Sequence, residues 1–207
     1  MSVSTSSSPS DVRPTVQAIK AQLRTFMNGV MAQSLREKGM CYHLIFGVEL
    51  PRLKEVAAGY EGSLALAQAL WNDDIRECRL LALLLMPKDS FASDLADIWM
   101  DDILLKGSVS PQAAVELIDC MAMYLLRHQS YASEKAFQWI ASEPVLLQYA
   151  GYRLLHHLLL RAPLNPRALD ELRDQAATAI ASQHPLLAPT AALVLEKAQE
   201  QTQDHPL

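Results

Sequence analysis

The 207-residue sequence predicts an all-α protein whose helices stack in pairs as a solenoid, an α-α superhelix. Half of the residues are hydrophobic, Leu and Ala are abundant, and only 6% are aromatic, a composition that favours helix over sheet. Apolar residues recur at helical spacing along most of the chain. Proline and glycine stand at short intervals between these segments, where they end one helix and precede the next.

The first helix is predicted over residues 12–38, and Gly29 is expected to kink or split it. Its apolar side comprises Val16, Ile19, Leu23, Phe26, Met27 and Val30. Residues 40–50 are predicted to be a connector. Further helices are predicted at 51–60, 63–71, 74–86, 90–105, 111–128, 132–141, 144–161, 166–182 and 186–200. Ser110 is the expected N-cap before Pro111.

Helices of this length with short connectors bury their apolar stripes by stacking on their neighbours. The prediction is therefore one helical-repeat domain over residues 11–200. The Ser-rich residues 1–10 and the tail 201–207 are predicted to be disordered. A globular helical bundle remains the alternative, because the sequence has no strict repeat period.

The composition favours a soluble, cytoplasmic protein. The first ten residues have no basic start and no apolar stretch, so they do not predict a secretory signal. The longest purely apolar run, residues 80–86, is far shorter than the roughly 20 residues that span a bilayer. Cys41, Cys78 and Cys120 show no paired spacing, so they are expected to be reduced residues of the core.

The formal charge of -5 means that any nucleic-acid surface must be a local patch. Residues 89–119 carry seven acids and one base, and such a segment would repel a phosphate backbone. Neither a glycine-rich phosphate loop nor a metal-ligand spacing occurs, so no cofactor and no metal are predicted. His156 and His157 are adjacent, and adjacent helical side chains point about 100° apart, which excludes joint ligation of one metal.

One carboxylate has a position that suggests chemistry. Asp102 follows Trp99 by three residues on the helix predicted at 90–105, so it is expected beside the indole. A carboxylate beside an aromatic face can stabilise a cationic or oxocarbenium-like centre. The structural alternative is a half-buried Asp beside a core Trp, a common arrangement on amphipathic helices.

Three segments together resemble the DNA alkylation repair family, the HEAT-like-repeat glycosylases that excise alkylated purines. They are GVELPRLKE at 47–55, LWNDDIRECRLLAL at 70–83 and QWIASEPVLLQYAGYRLL at 138–155. The resemblance implies HEAT-like helix pairs with a concave face that cradles duplex DNA. It also implies a monofunctional alkylpurine DNA glycosylase without a cofactor, in which aromatic side chains contact the DNA backbone and an Asp supports the sugar cation.

The resemblance also implies which residues form the site. Trp99 matches the family's first functional Trp, and Asp102 stands one residue before the expected Asp position, which Ile103 occupies. Leu193 occupies the position of a second functional Trp, and Tyr149 that of a DNA-contacting Arg. The expected DNA contacts on inner helices are Arg76, Arg79, Arg153 and Tyr149.

Two hypotheses follow from the sequence. In the first, the protein binds duplex DNA on a basic concave surface and excises cationic alkylated purines with Trp99 and Asp102. In the second, it is a catalytically inactive helical-repeat module that binds a protein or another ligand through an acidic or mixed groove. The altered positions favour the second hypothesis for the biochemical activity of the protein. The resemblance favours the first hypothesis for its general biological role.

Overall fold

The structure, a computed structural model, describes residues 12–105 and 109–204. Within these residues it contains eleven α-helices and no strand, which confirms the all-α prediction. The helices are α1 (Val12–Thr25), α2 (Gly29–Glu37), α3 (Leu50–Ala58), α4 (Leu64–Trp71), α5 (Arg76–Leu85), α6 (Ser93–Leu105), α7 (Pro111–Tyr124), α8 (Ala132–Ile140), α9 (Val145–Leu159), α10 (Pro166–Ala181) and α11 (Leu187–Asp204). An isolated parallel bridge joins Leu44 to Ile75.

The helices form two compact units, Met1–Cys120 and Met121–Leu207. In the first unit, α4 packs against α1 and α5, and α3 packs against α5. In the second unit, α9 packs against α8 and α11, and α10 packs against α11. Each unit thus consists of helices that share neighbours and bury one another's apolar stripes. A single domain over residues 11–200 stays a prediction.

The helix predicted over residues 12–38 is split into α1 and α2, and Asn28 explains the break. The Asn28 side chain caps α2 by accepting a hydrogen bond from the Met31 N–H at 3.1 Å. Its own N–H donates to the Phe46 carbonyl at 2.9 Å. The predicted apolar side is therefore wrong beyond the break, where Met27 and Val30 are 59% and 82% exposed. The residues of α1 that are buried are Val16, Ile19 and Leu23.

The other helix ends lie close to the predicted ones. Ser110 precedes α7, and its hydroxyl accepts from the Ala113 N–H at 3.4 Å, as expected of an N-cap. The helix predicted to reach residue 128 ends at Tyr124, and a 3-10 turn follows at Leu126–His128. These differences of a few residues are normal at helix ends.

The last helix continues beyond its predicted end at residue 200. Residues 201–204, predicted as part of a disordered tail, belong to α11. Residues 205–207 and the predicted disordered segment 1–10 lie outside the described residues. No helix among the described residues has both the length and the apolar character needed to cross a membrane.

The three cysteines have different environments. Cys78 is buried, which confirms its predicted core position, whereas Cys41 is exposed and its prediction is wrong. Cys120 is partly buried. Burial raises the pKa of the Cys78 thiol, and also that of the Cys120 thiol, to about 12. Both thiols are therefore protonated, and poor nucleophiles, at neutral pH.

Gly151 permits the close packing of α9 on α8. A Cβ atom at this position would lie 2.6 Å from the Ala136 carbonyl oxygen and 2.8 Å from the Ile140 nitrogen. We expect Gly151→Ala to lower the free energy of unfolding by about 1–3 kcal/mol, because backbone atoms must move apart. The control is Gly29→Ala, where a Cβ would meet nothing within 4 Å. Equal urea midpoints for the two variants would contradict this packing.

Candidate functional site

Trp99 on α6 lies in a buried aromatic cluster. Its ring stacks on that of Trp71, the last residue of α4, with centroids 4.1 Å apart and planes 5° apart. Phe91 meets the Trp99 ring edge-on, with centroids 5.3 Å apart. Trp99 is 2% exposed and Trp71 is 3% exposed. The candidate catalytic indole is therefore covered by protein on nearly all of its surface.

Asp102 is half-buried one turn after Trp99 and accepts a hydrogen bond from Trp71. The Trp71 Nε1–H donates to Asp102 Oδ2 at 3.1 Å. A buried indole N–H requires an acceptor, and this carboxylate provides it. The next residue, Ile103, is 3% exposed and packs in the core. The shift of one residue thus places the carboxylate beside the aromatic cluster, as the i, i+3 spacing predicts.

Arg76, a predicted DNA contact, is 6% exposed and lies among acidic partners. Its Nε donates to Glu116 Oε2 at 2.8 Å, and its Nη2 donates to the other oxygen of the same carboxylate. Its Nη1 donates to Glu77 Oε1 at 3.0 Å and to the Val48 carbonyl at 3.2 Å. Burial acts to lower the pKa of Arg76, but the hydrogen bonds and charges of Glu116 and Glu77 raise it overall.

Glu77 is fully buried and holds the loop between α2 and α3. Its carboxylate accepts hydrogen bonds from three consecutive backbone N–H groups, those of Phe46 and Gly47 at 2.9 Å and that of Val48 at 3.2 Å. Gly47 has a φ of +76°, and a Cβ there would lie 2.3 Å from the Asn28 carbonyl oxygen. Both the positive φ and the close approach require glycine. The loop therefore resembles an anion-binding nest whose anion is the protein's own carboxylate.

Arg79, on the same helix, is partly exposed and lies between two aromatic rings. Its guanidinium carbon is 5.8 Å from the centroid of Tyr42 and 5.9 Å from that of Trp71. Its Nε donates to the Asp73 carbonyl at 3.3 Å. The structure thus places Arg79 near Trp71, the residue that stacks on Trp99 and donates to Asp102.

The Tyr42 hydroxyl oxygen is buried and has no hydrogen-bond partner among the described residues. Burial, and secondly the negative charge of Glu116, raise the pKa of Tyr42. Its hydroxyl therefore stays protonated at physiological pH. Tyr42 was not recognised from the sequence, because a single Tyr in a predicted connector carries no signal of a long-range contact.

The other candidate residues belong to the second unit. Tyr149 and Arg153 lie four residues apart on α9, where Tyr149 is 5% exposed and Arg153 is partly exposed. Leu193, at the position of the family's second Trp, is 46% exposed on α11. The roles of these residues in DNA binding stay predictions.

His156 and His157 also lie on α9, with ring centroids 5.7 Å apart. His157 is 5% exposed. In the part of the chain that the structure describes, no group of three or more His, Cys, Asp or Glu side chains is placed to hold a metal ion. The predicted absence of a metal stays a prediction.

The fold is similar to that of one class of helical-repeat protein. A solved structure matches with a TM-score of 0.74 and 14% sequence identity, over 91% of this chain and 77% of that chain. Its description is "A new family of proteins related to the HEAT-like repeat DNA glycosylases with affinity for branched DNA structures". At this identity the likeness shows the fold alone. It confirms the predicted HEAT-like helical fold.

The family follows from the sequence. The model of the family described as "DNA alkylation repair enzyme" matches residues 19–204, which is most of the chain. The chain belongs to this family, as its three resembling segments predicted. No match is found among curated proteins.

Proposed function

We propose that this protein binds DNA, including branched DNA, and does not excise alkylated bases. The observation that carries the second part of the proposal, the absence of excision, is the burial of Trp99. A side chain that is 2% exposed and stacked on Trp71 has almost no surface with which to contact a DNA backbone. Asp102 accepts a hydrogen bond from the same aromatic cluster. Both residues thus have a structural role that needs no substrate.

Family membership and the HEAT-like fold support the DNA-binding part of the proposal. The matching solved structure is described as having affinity for branched DNA, and we extend that property to this chain. Among the four expected DNA contacts, Arg76 has the least access to a phosphate, because Glu77 and Glu116 hold its guanidinium. Arg79 is the best placed in the first unit, because it is partly exposed.

We expect Arg79→Gln to weaken DNA binding and to reduce the slope of log K against log salt by about one, since one phosphate contact is lost. Arg79→Lys should retain most of the slope because it retains the charge. Arg36→Gln is the matched control, since Arg36 is exposed on α2. The measurement is fluorescence anisotropy with a labelled four-way junction and a linear duplex of the same strands, across a salt series.

Two results for the wild type support the proposal: its DNA binding weakens as salt rises, and it binds the duplex more weakly than the junction. Absence of binding to both DNAs at low salt would overturn it. Equal salt slopes for Arg79→Gln and Arg36→Gln would show that Arg79 does not contact the DNA. Thermal unfolding of each variant keeps a loss of fold separate from a loss of contact.

One observation favours a second candidate function, the binding of a basic protein segment. Asp94 and Asp101 are exposed on α6, and Ile98 between them is 56% exposed. Such an acidic surface with an apolar centre repels phosphate and is compatible with a cationic amphipathic partner. Salt-sensitive DNA binding of the wild type would argue against this candidate as the main function.

A further inference from the structure

A cavity of about 480 Å³ lies between α1 and α4 in the first unit. Its floor is formed by small or apolar side chains, Val16, Ala65 and Ala69. Ala65 and Ala69 are four residues apart and so lie on one face of α4. The small alanine side chains leave the space open. The volume falls within the range of about 300–1,000 Å³ typical of ligand pockets.

The polar groups of this cavity are one cation and two carboxamides. Arg13 and Gln17 are four residues apart on α1, and Gln68 faces them from α4. All three are exposed, and none of their side chains makes a hydrogen bond or ion pair to another described residue. No acidic residue is found among the described residues that line the cavity. Such a lining suits an anion that has an apolar part and hydrogen-bonding edges.

We propose that this cavity binds a single unpaired nucleotide. Arg13 binds the phosphate, since its planar guanidinium matches two phosphate oxygens. The base lies on the floor of Val16, Ala65 and Ala69. The carboxamides of Gln17 and Gln68 bind its edge, because an amide offers both a donor and an acceptor to a base. A nucleoside monophosphate presents all of these groups, either free or within an unpaired DNA strand.

This inference rests on the proposed function, because it assigns to the cavity the unpaired nucleotides of DNA in which a gap or a branch leaves bases single-stranded. Continuous duplex keeps its bases stacked and presents no nucleotide of this kind. The cavity would then contribute to a preference for gapped DNA and for branched DNA that contains unpaired bases. Arg79 would contact the backbone elsewhere in the unit, independently of base pairing.

The first test measures the binding of deoxyadenosine monophosphate to the full chain by isothermal titration calorimetry and by NMR chemical shifts. We expect Arg13→Gln to weaken binding about tenfold, the typical loss of a charge-assisted contact. Arg24→Gln, which makes the same change on the last turn of α1 outside the cavity, should leave it unchanged. Binding of inorganic phosphate as tightly as the nucleotide would overturn the proposal, since the base would then contribute nothing.

The second test compares a continuous duplex with a duplex that contains a short single-stranded gap. We expect the wild type and Arg24→Gln to prefer the gapped DNA, and Arg13→Gln to lose that preference. If Arg13→Gln weakens binding of the free nucleotide but leaves the preference for gapped DNA unchanged, the site binds free nucleotides and not DNA. Equal behaviour of Arg13→Gln and Arg24→Gln in both tests would overturn the site and leave the proposed DNA binding standing. Nucleotide binding through Arg13 without any DNA binding would overturn the proposed function instead.

Discussion

Replacing Glu77 with glutamine is expected to lower the free energy of unfolding by about 3–5 kcal/mol, the usual loss when one partner of a buried ion pair is removed. Glutamine has nearly the same shape, so the loss reports the charge and not the packing. An amide has one acceptor oxygen, whereas the carboxylate accepts from Phe46, Gly47, Val48 and Arg76. The amide NH₂ would also face backbone donors.

The matched control is Glu55→Gln. Glu55 pairs with Arg52 on the surface of α3, where its side chain is 63% exposed, so its loss should change stability by less than about 0.5 kcal/mol. The measurement is urea unfolding followed by far-ultraviolet circular dichroism. Similar midpoints for the two variants would mean that the buried carboxylate does not hold the loop between α2 and α3.

Replacing Trp99 with alanine is expected to lower the free energy of unfolding by about 3–5 kcal/mol, because it leaves a cavity against Trp71 and Phe91. Trp99→Phe should lose less, since a ring still packs against Trp71. If Trp99 is structural, Trp99→Phe should bind DNA as the wild type does, within about twofold. Denaturant unfolding and anisotropy measure the two properties on the same samples.

Trp139→Phe provides the control, since Trp139 is 2% exposed in the second unit and outside the aromatic cluster. Both Trp→Phe variants should then lose stability and retain DNA affinity. A Trp99→Phe protein that keeps its stability but loses about tenfold in DNA affinity would contradict the structural role. Such a result would indicate that Trp99 contacts the DNA backbone, as the family resemblance implies.

The helices could be predicted from the sequence because their apolar periodicity and proline punctuation are local signals. Most predicted ends differ from the observed ones by only a few residues. A kink or a split of the first helix at Gly29 was predicted, but its cause was not, because it lies in the Asn28 cap and in a hydrogen bond to Phe46. The Asn28-Gly29 pair was the available signal, because an Asn-Gly dipeptide commonly marks a turn between helices.

The candidate site was predicted less well, because its residues are defined by long-range contacts. The spacing of Trp99 and Asp102 predicted a carboxylate beside the Trp99 indole, whereas the indole that donates a hydrogen bond to Asp102 is that of Trp71. The partner that stacks on Trp99 and donates to Asp102 is Trp71, which lies on another helix. Likewise, Arg76 is charged and lies on a helix, but only the fold shows that Glu77 and Glu116 bury it. Helical periodicity gives no information on such pairing.

In the function that we propose, the Trp99 and Asp102 pair stabilises the fold and does not excise bases. The most direct test is a single-turnover assay of free-base release from a duplex that contains alkylated purines, with protein in excess over DNA. We expect release at the spontaneous rate of a protein-free control, with no change in Asp102→Asn. Release above that rate that disappears in a folded Asp102→Asn protein would show that the pair is catalytic and would identify a working glycosylase.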